Sequence, residues 1–295
     1  MAWSVTIVGI GSPVGAAIAE QFLARDCRVV GLYRTPASVR LETLARRGVD
    51  LRQADLTRPE TLTQCFTNAT LAVLAPPLNV SQNAIAALRD AGVERAIFFS
   101  SNNVAIDPDA PVYRELAKAE GRVRAALPNA IILRPTLIYG CPDLPTFARL
   151  CRAMARTPIF PVPGRGVFQP IFVTDLANVA VGLAEEYNSP GGVYAVGGPD
   201  VVSACALYRQ ISRAVGGARL LIPLPAPFVA LAAGTMRAVG LRFPLDEHQI
   251  ARLDHDRRAL VQLPLPSELT PKTSLAQGLR ALVDALADAR KSRAP

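Results

Sequence analysis

The chain has 295 residues, 50% of them hydrophobic and 19% charged, a composition that excludes a disordered or fibrous protein and permits a core that buries roughly three quarters of the unfolded surface. Its 32 Lys and Arg against 24 Asp and Glu give a net charge of +8. The arginines are scattered, with no long basic run and little aromatic interleaving, so no nucleic-acid partner is expected and the charge reads as a solvated basic surface that also attracts phosphorylated cofactors. Five cysteines (Cys27, Cys65, Cys141, Cys151, Cys205) form no CxxC pair, which argues against a disulfide framework or zinc site and fits a reducing, cytoplasmic compartment. A strand pattern begins almost at Met1, so no signal peptide is expected.

The first elements are the most informative. Ser4–Val8 reads as an apolar strand, Gly9–Gly15 as a glycine-spaced turn and Ala16–Leu23 as a helix. This is how a chain builds a seat for a dinucleotide pyrophosphate. Gly9 and Gly11 let the backbone turn tightly and approach the phosphates, the helix aims unpaired N–H groups at the anion, and Gly15 lets helix and strand pack closely. A strand–helix alternation follows: strand Cys27–Tyr33, helix Ser38–Arg47, strand Val49–Gln53, helix Pro59–Phe66, strand Leu71–Leu74 stopped by Pro76-Pro77, helix Gln82–Ala91 capped by Ser81, strand Ala96–Phe99, helix Pro111–Leu127 and strand Ala130–Leu133. Strands joined through helices imply a parallel sheet with ligands beyond the carboxyl ends of the strands. That rule selects Gly9–Gly15, Arg34, Asp55, Ala75–Pro77, Ser100–Asn103 and Pro135–Leu137.

The second half is richer in proline and less regular. Helices are expected at Phe147–Arg156, after a cap at Thr174, and at Ala204–Val215, Phe228–Val239, Glu247–Leu253 and Ser274–Ala289, with strands at Gln169–Val173 and Val193–Val196. The charge-free stretch between Arg219 and Arg237 reads as a strand end plus a buried helix, too short to span a bilayer. A membrane-surface contact is its minority reading. His248 and His255 lie among Asp246, Glu247, Asp254 and Asp256, but a metal needs three or more convergent ligands, so a solvated face is preferred and no metal is expected. Asp175 reads as a helix cap. Cys141 and Cys151 read as packing residues, since no base can be assigned to them. Arg149 and Arg165 default to solvent.

Several segments together resemble the short-chain dehydrogenase/reductase superfamily, in its extended and atypical branches: Val8–Gly15, Ala54-Asp55-Leu56-Thr57, Asn83–Ser101, Lys118-Ala119-Glu120-Gly121, Ile131–Gly140, Pro161–Ala177 and Val193–Gly198. They are most similar to the atypical nucleoside-diphosphate-sugar-epimerase-like proteins, a group that includes the NAD(P)-binding accessory subunit of respiratory complex I. The resemblance implies an α/β fold: a Rossmann doubly wound parallel sheet over residues 1–140 and a smaller C-terminal α/β substrate lobe over 141–295, with about 168–198 packing back on the first domain. It also implies a bound nicotinamide dinucleotide, with contacts from the turn (Gly9, Gly11, Ser12, Pro13, Val14, Gly15) and from Asp55, Leu56, Ala75, Pro76, Lys118 and Pro135. Asp55 would meet the adenine; its alternative role is to cap the next helix.

The departures bear on function. Ser12 stands at the middle position of the family's GxxGxxG turn, and Pro13 removes an N–H from the anion seat. The family places a tyrosine four residues before a lysine. Lys118 matches the lysine, but Arg114 is four residues earlier and Tyr113 five. At about 100° per residue, five residues leave two side chains about 140° apart. Tyr113 therefore reaches the site only if the helix starts late or bulges near Pro111. Ser100 and Ser101 fit the place of the substrate-polarising serine, or equally cap a turn. No acid follows the second strand; Arg34 there points to a 2′-phosphate and to NADP, with NAD as the alternative. Two readings stay open: an oxidoreductase or epimerase acting on a small organic substrate through Lys118 and Tyr113, or a non-catalytic dinucleotide-binding sensor or assembly subunit with a complex or peripheral membrane contact.

Overall fold

Short runs of β-branched and aliphatic residues build the centre of the molecule. The computed structural model describes residues 3–35, 38–62, 64–185, 190–217, 219–238 and 250–291. Strands β1 (Ser4–Val8), β2 (Arg28–Tyr33), β3 (Asp50–Gln53), β4 (Leu71–Pro77), β5 (Ala96–Phe99) and β6 (Ile131–Pro135) are joined at one edge by a seventh, Gly192–Val196. All pair in parallel, in the order β3-β2-β1-β4-β5-β6-seventh strand. The core strands are buried on both faces, as a sheet covered by helices on both sides requires. The order is that of a Rossmann fold. Because the chain leaves β1 toward β2 and later returns to β4 on the other side, the switch point lies between β1 and β4, and a crevice opens there at the carboxyl ends.

Helix α1 (Pro13–Leu23) carries proline in its first turn, where no N–H is needed, and buries Val14, Ala16, Ile18, Ala19 and Phe22. Helix α2 (Val39–Arg46) is capped by Ser38, whose hydroxyl oxygen accepts from Leu41 N–H. Helix α3 (Pro111–Ala126) turns Leu116, Ala119, Glu120 and Val123 inward. Glu120 is an acid in an apolar face, and it is compensated fully. Arg134 on β6 donates Nε (2.8 Å) and Nη2 (2.5 Å) to its two carboxylate oxygens, and the Ser100 hydroxyl donates to Oε1 at 2.6 Å.

Two compact units divide the chain. The first comprises Met1–Pro135, Val173–Val196 and Ala259–Pro271; the second comprises Thr136–Phe172, Gly197–Arg258 and Lys272–Pro295. In the first, Asn102 is buried and its Oδ1 accepts from Leu260 N–H, which ties the 259–271 segment to the end of β5. The second packs Tyr139, Phe147, Met154, Leu207, Ile211 and Leu279 into its own core. It also carries a parallel two-stranded ribbon, Ile159–Pro163 with Leu220–Leu224.

Three sequence readings need correction. Pro59–Phe66 is not a helix: only a 3₁₀ turn, Pro59–Thr61, forms. The Thr61 hydroxyl accepts from Asp55 N–H and lies on the carbonyls of Asp55 and Arg58, competing with the helical ladder. Ser81 is no N-cap; its hydroxyl donates back to the Pro76 carbonyl, and the following helix is broken into Leu78–Ser81, Gln82–Ala84 and Ile85–Asp90. The charge-free segment after Arg219 does form a strand end and then a helix, Ala226–Ala238, but that helix is not buried. Among its described side chains Val229 and Ala233 are buried against Ile250 and Leu253 and Ala226 is partly covered, while Phe228 and Leu231 are exposed. The helix expected at Glu247–Leu253 lies partly outside the described residues, as do Val239, Asp246, Glu247 and His248.

Replacing Arg134 with Met leaves Glu120 buried without its counter-charge. The expected loss is about 3–5 kcal/mol of unfolding free energy, measured by urea denaturation, and Glu120→Leu in the Arg134→Met background restores most of it.

Candidate functional site

The turn Gly9–Gly15 links β1 to α1 at the β1/β4 switch point, with Pro76 of β4 beside it. Gly9 sits at φ +72°, and a Cβ there would lie 2.8 Å from Pro76 Cγ; a Cβ on Gly15 would lie 2.5 Å from the Gly9 carbonyl oxygen. Both positions therefore require glycine, and Pro76 serves as the wall against which the turn is folded. A Cβ on Gly11 would meet Leu41 Cδ2 at 3.8 Å, an ordinary van der Waals contact, so that position does not require glycine. Ser12 is the N-cap of α1, its hydroxyl oxygen accepting from Gly15 N–H at 3.0 Å while its own proton remains to donate. Gly9 and Ile10 N–H both donate to the Leu32 carbonyl on β2, Ser12 N–H donates to the Gly9 carbonyl and Gly15 N–H to the Ser12 hydroxyl oxygen. Among the described residues this leaves Gly11 and Val14 N–H at the positive end of α1 for an anion. The Pro13 position lacks an N–H, yet the seat still fits a diphosphate.

Sequence reasoning missed one residue here. Arg40, in the first turn of α2, donates Nη1 to the Gly11 carbonyl at 2.7 Å. That contact puts a second guanidinium beside the turn, in addition to Arg34, which is exposed just after β2. The only advance signal was a second arginine six residues after Arg34. Gln53 donates to the Arg34 carbonyl, fixing the end of β2 to the end of β3. Asp55 accepts from Thr57 N–H (2.9 Å) and the Thr57 hydroxyl (2.8 Å) in an Asx turn. These bonds, with Arg34 and Arg58 nearby, hold its carboxyl below the usual range. Leu56 is buried and its carbonyl accepts from Asn83. Ala75 is half-buried beside Pro76, and Pro135 is buried, its carbonyl accepting from Asn102 N–H.

The residues expected to do chemistry are not brought together. Helix α3 runs unbroken from Pro111, with Tyr113 and Arg114 N–H both bonded to the Ala110 carbonyl. The late start or bulge that would align Tyr113 with Lys118 is absent from this helix, and the two lie about 140° apart. Tyr113 is half-buried against the core, and its hydroxyl accepts from Asn103 Nδ2 at 2.9 Å. Lys118 is 55% exposed and donates to Glu115 at 2.8 Å, which lowers the Glu115 pKa. Ala117 occupies the position four residues after Tyr113. Of the serines, Ser100 is engaged by Glu120, and Ser101 caps the turn Asn103–Ile106 by accepting from Asn103 N–H.

Elsewhere, Asp175 is buried in the first turn of the helix Val173–Glu185. No group of three or more potential metal-ligating side chains exists among the described residues, and none of their helices is long and apolar enough to cross a membrane.

A switch-point crevice with a glycine-built anion seat defines a dinucleotide-binding domain of the Rossmann class. A family profile described as NAD(P)H-binding matches residues 9–139. Residues 9–139 are thus similar in sequence to NAD(P)H-binding domains. Subunit 9 of the NADH dehydrogenase [ubiquinone] 1 alpha subcomplex, mitochondrial, is 30% identical over 152 residues in Mus musculus and 31% identical over 176 residues in Arabidopsis thaliana. Those matches cover 51% and 58% of this chain, but only 40% and 44% of the relatives' length. Among solved structures, UDP-glucose 4-epimerase of Thermotoga maritima superposes with a TM-score of 0.74 at 14% identity, covering 97% of this chain and 99% of that one. The Citrobacter sp. triphenylmethane reductase complexed with NADP(H) gives 0.72 at 18% identity, covering 95% and 100%. These two likenesses establish the fold.

Gly15→Ala drives a methyl group into the Gly9 carbonyl and is expected to weaken nicotinamide-dinucleotide binding at least about tenfold in calorimetry. Burial pushes the Cys151 thiol up to about 11. Iodoacetamide applied to the native chain near pH 8 should therefore leave Cys151 unmodified in peptide mass spectra, and modify it once the chain is unfolded.

Proposed function

We propose that this protein holds NADP(H) as a bound nucleotide, in an accessory or sensing role, and does not turn it over by tyrosine–lysine hydride chemistry. The observation that carries this reading is the phase of α3. That chemistry needs a phenol and an ammonium one helical turn apart, so that the lysine lowers the phenol's pKa and positions the ribose. Here the phenol is held by Asn103 and the ammonium by Glu115 on another face. The polarising serine is committed as well, since Ser100 completes the carboxylate shell of a buried ion pair.

The turn from Gly9 to Gly15 would hold the pyrophosphate through Gly11 and Val14 N–H and the Ser12 hydroxyl proton. Arg34 and Arg40 favour a 2′-phosphate over a bare ribose: no acid follows β2 to accept the 2′-OH, and each charge-assisted contact is worth about 1.5–3 kcal/mol. When bound, the nucleotide supplies a hydride; the residues beside the crevice provide no paired proton donor for it. The relatives support an accessory role, being named as subunits of a multisubunit NADH dehydrogenase.

Titration calorimetry with NADPH and NADH tests the proposal. NADPH is expected to bind more tightly. Arg34→Ala and Arg40→Ala should each cost about tenfold for NADPH and little for NADH, and Lys118→Ala should change neither affinity by more than about twofold. Equal affinities would defeat the nucleotide preference. NADPH oxidation with an aldehyde or ketone that vanishes in Tyr113→Phe and Lys118→Ala would restore the oxidoreductase or epimerase reading in place of this one.

A further inference from the structure

The positive charge of this protein is not spread over it. The second unit holds 17 Lys and Arg against 8 Asp and Glu, a net +9, whereas the first, which carries the dinucleotide crevice, holds 15 against 16. Within the second unit, residues 144–172 and 201–245 contain nine arginines and no acid. Arg152 and Arg156 are exposed on and just beyond the helix Pro145–Met154, and Arg209 and Arg213 on the helix Ala204–Ala214, where they line a surface groove with Arg219.

Beside these arginines the same unit exposes apolar side chains. In the two-stranded ribbon, Leu220 is paired with Ile159 and Ile222 with Pro161, so all four share one face, and all four are exposed. The alternate positions Leu221, Phe160 and Val162 face the core of the unit. Pro225 alone joins the ribbon to the helix Ala226–Ala238. From Leu220 to Met236 there is no charged residue. On that helix Phe228 is 63% and Leu231 65% exposed, while the Thr235 hydroxyl is satisfied by the Leu231 and Ala232 carbonyls. An outward helix face without a charge, its one hydroxyl already bonded, costs little to place among acyl chains and much to leave in water.

We propose that this face docks on the surface of an anionic phospholipid bilayer: Phe228 and Leu231 enter the interface, and the arginine excess of the second unit meets lipid phosphates. Charge complementarity selects the occupant. A second copy would bring the same net-positive unit against itself, at a repulsive cost, whereas lipid phosphates neutralise it. A helix without a charge from Ala226 to Met236, in a unit of net positive charge, suits a segment lying in the headgroup plane rather than crossing it.

The full chain is floated through a density gradient with phosphatidylcholine vesicles, with and without about 30% phosphatidylglycerol. It should rise with the anionic vesicles alone and be released in about 0.5 M NaCl. Phe228→Ser with Leu231→Ser should cut binding at least about tenfold with an unchanged melting temperature. Phe228→Trp keeps the face apolar and should show an emission blue shift on anionic vesicles. Three results overturn the proposal: no flotation with anionic vesicles, flotation and emission that ignore residues 228 and 231, or lipid-free self-association in sedimentation velocity that the double serine variant abolishes. None of these residues belongs to the dinucleotide seat, so nucleotide titration reports separately.

Discussion

The ion pair between Glu120 and Arg134 decides which face helix α3 turns to the sheet. A carboxylate can be buried only if its charge is answered and its lone pairs are filled, and here two guanidinium N–H groups and one hydroxyl do both. The helix therefore cannot rotate about its axis without stranding a charge. With Glu120 pinned inward, Leu116 and Val123 face the core, Tyr113 comes to rest against it, and Lys118 is carried out to solvent. The same interaction consumes Ser100. One buried pair thus stabilises the domain and, through its geometry, separates the groups that hydride chemistry would require.

The nucleotide seat rests on a different kind of constraint, the exclusion of side-chain atoms. Gly9 must accommodate Pro76, and Gly15 must accommodate the Gly9 carbonyl, so the turn is shaped by what is missing. Ser12 then caps α1 instead of crowding the anion, and its hydroxyl proton stays available. Arg40 adds a guanidinium that the turn itself recruits through the Gly11 carbonyl. No group from α3 contributes to the geometry of the turn, so the turn and that helix can be probed separately.

Charge follows the same division. A net charge of +8 averaged over 295 residues looks like a generic basic surface. Assigned to the two units, it resolves into a nearly neutral unit that carries the glycine turn and a strongly basic second unit whose helix Ala226–Ala238 exposes Phe228 and Leu231. A binding role for the first and an anchoring role for the second are physically compatible because they draw on separate residues.

Sequence by itself determined the parallel α/β plan, the glycine turn, the identity of the strand-end residues and the five-residue spacing of Tyr113 and Lys118, because each is a local pattern of periodicity, backbone freedom or helical angle. It misjudged Pro59–Phe66 and Ser81, where side-chain hydroxyls bond backbone groups six and five residues earlier and compete with the helical ladder. It could not foresee Arg40, since what brings that residue to the turn is the packing of α2 against α1 and not any motif. Tertiary structure alone decided that Ser100 is spent on Glu120 and that the helix after Pro225 faces outward. Both outcomes depend on which surfaces meet, and hydrophobic content in a sequence says that a segment will seek cover without saying whether the fold has any to offer.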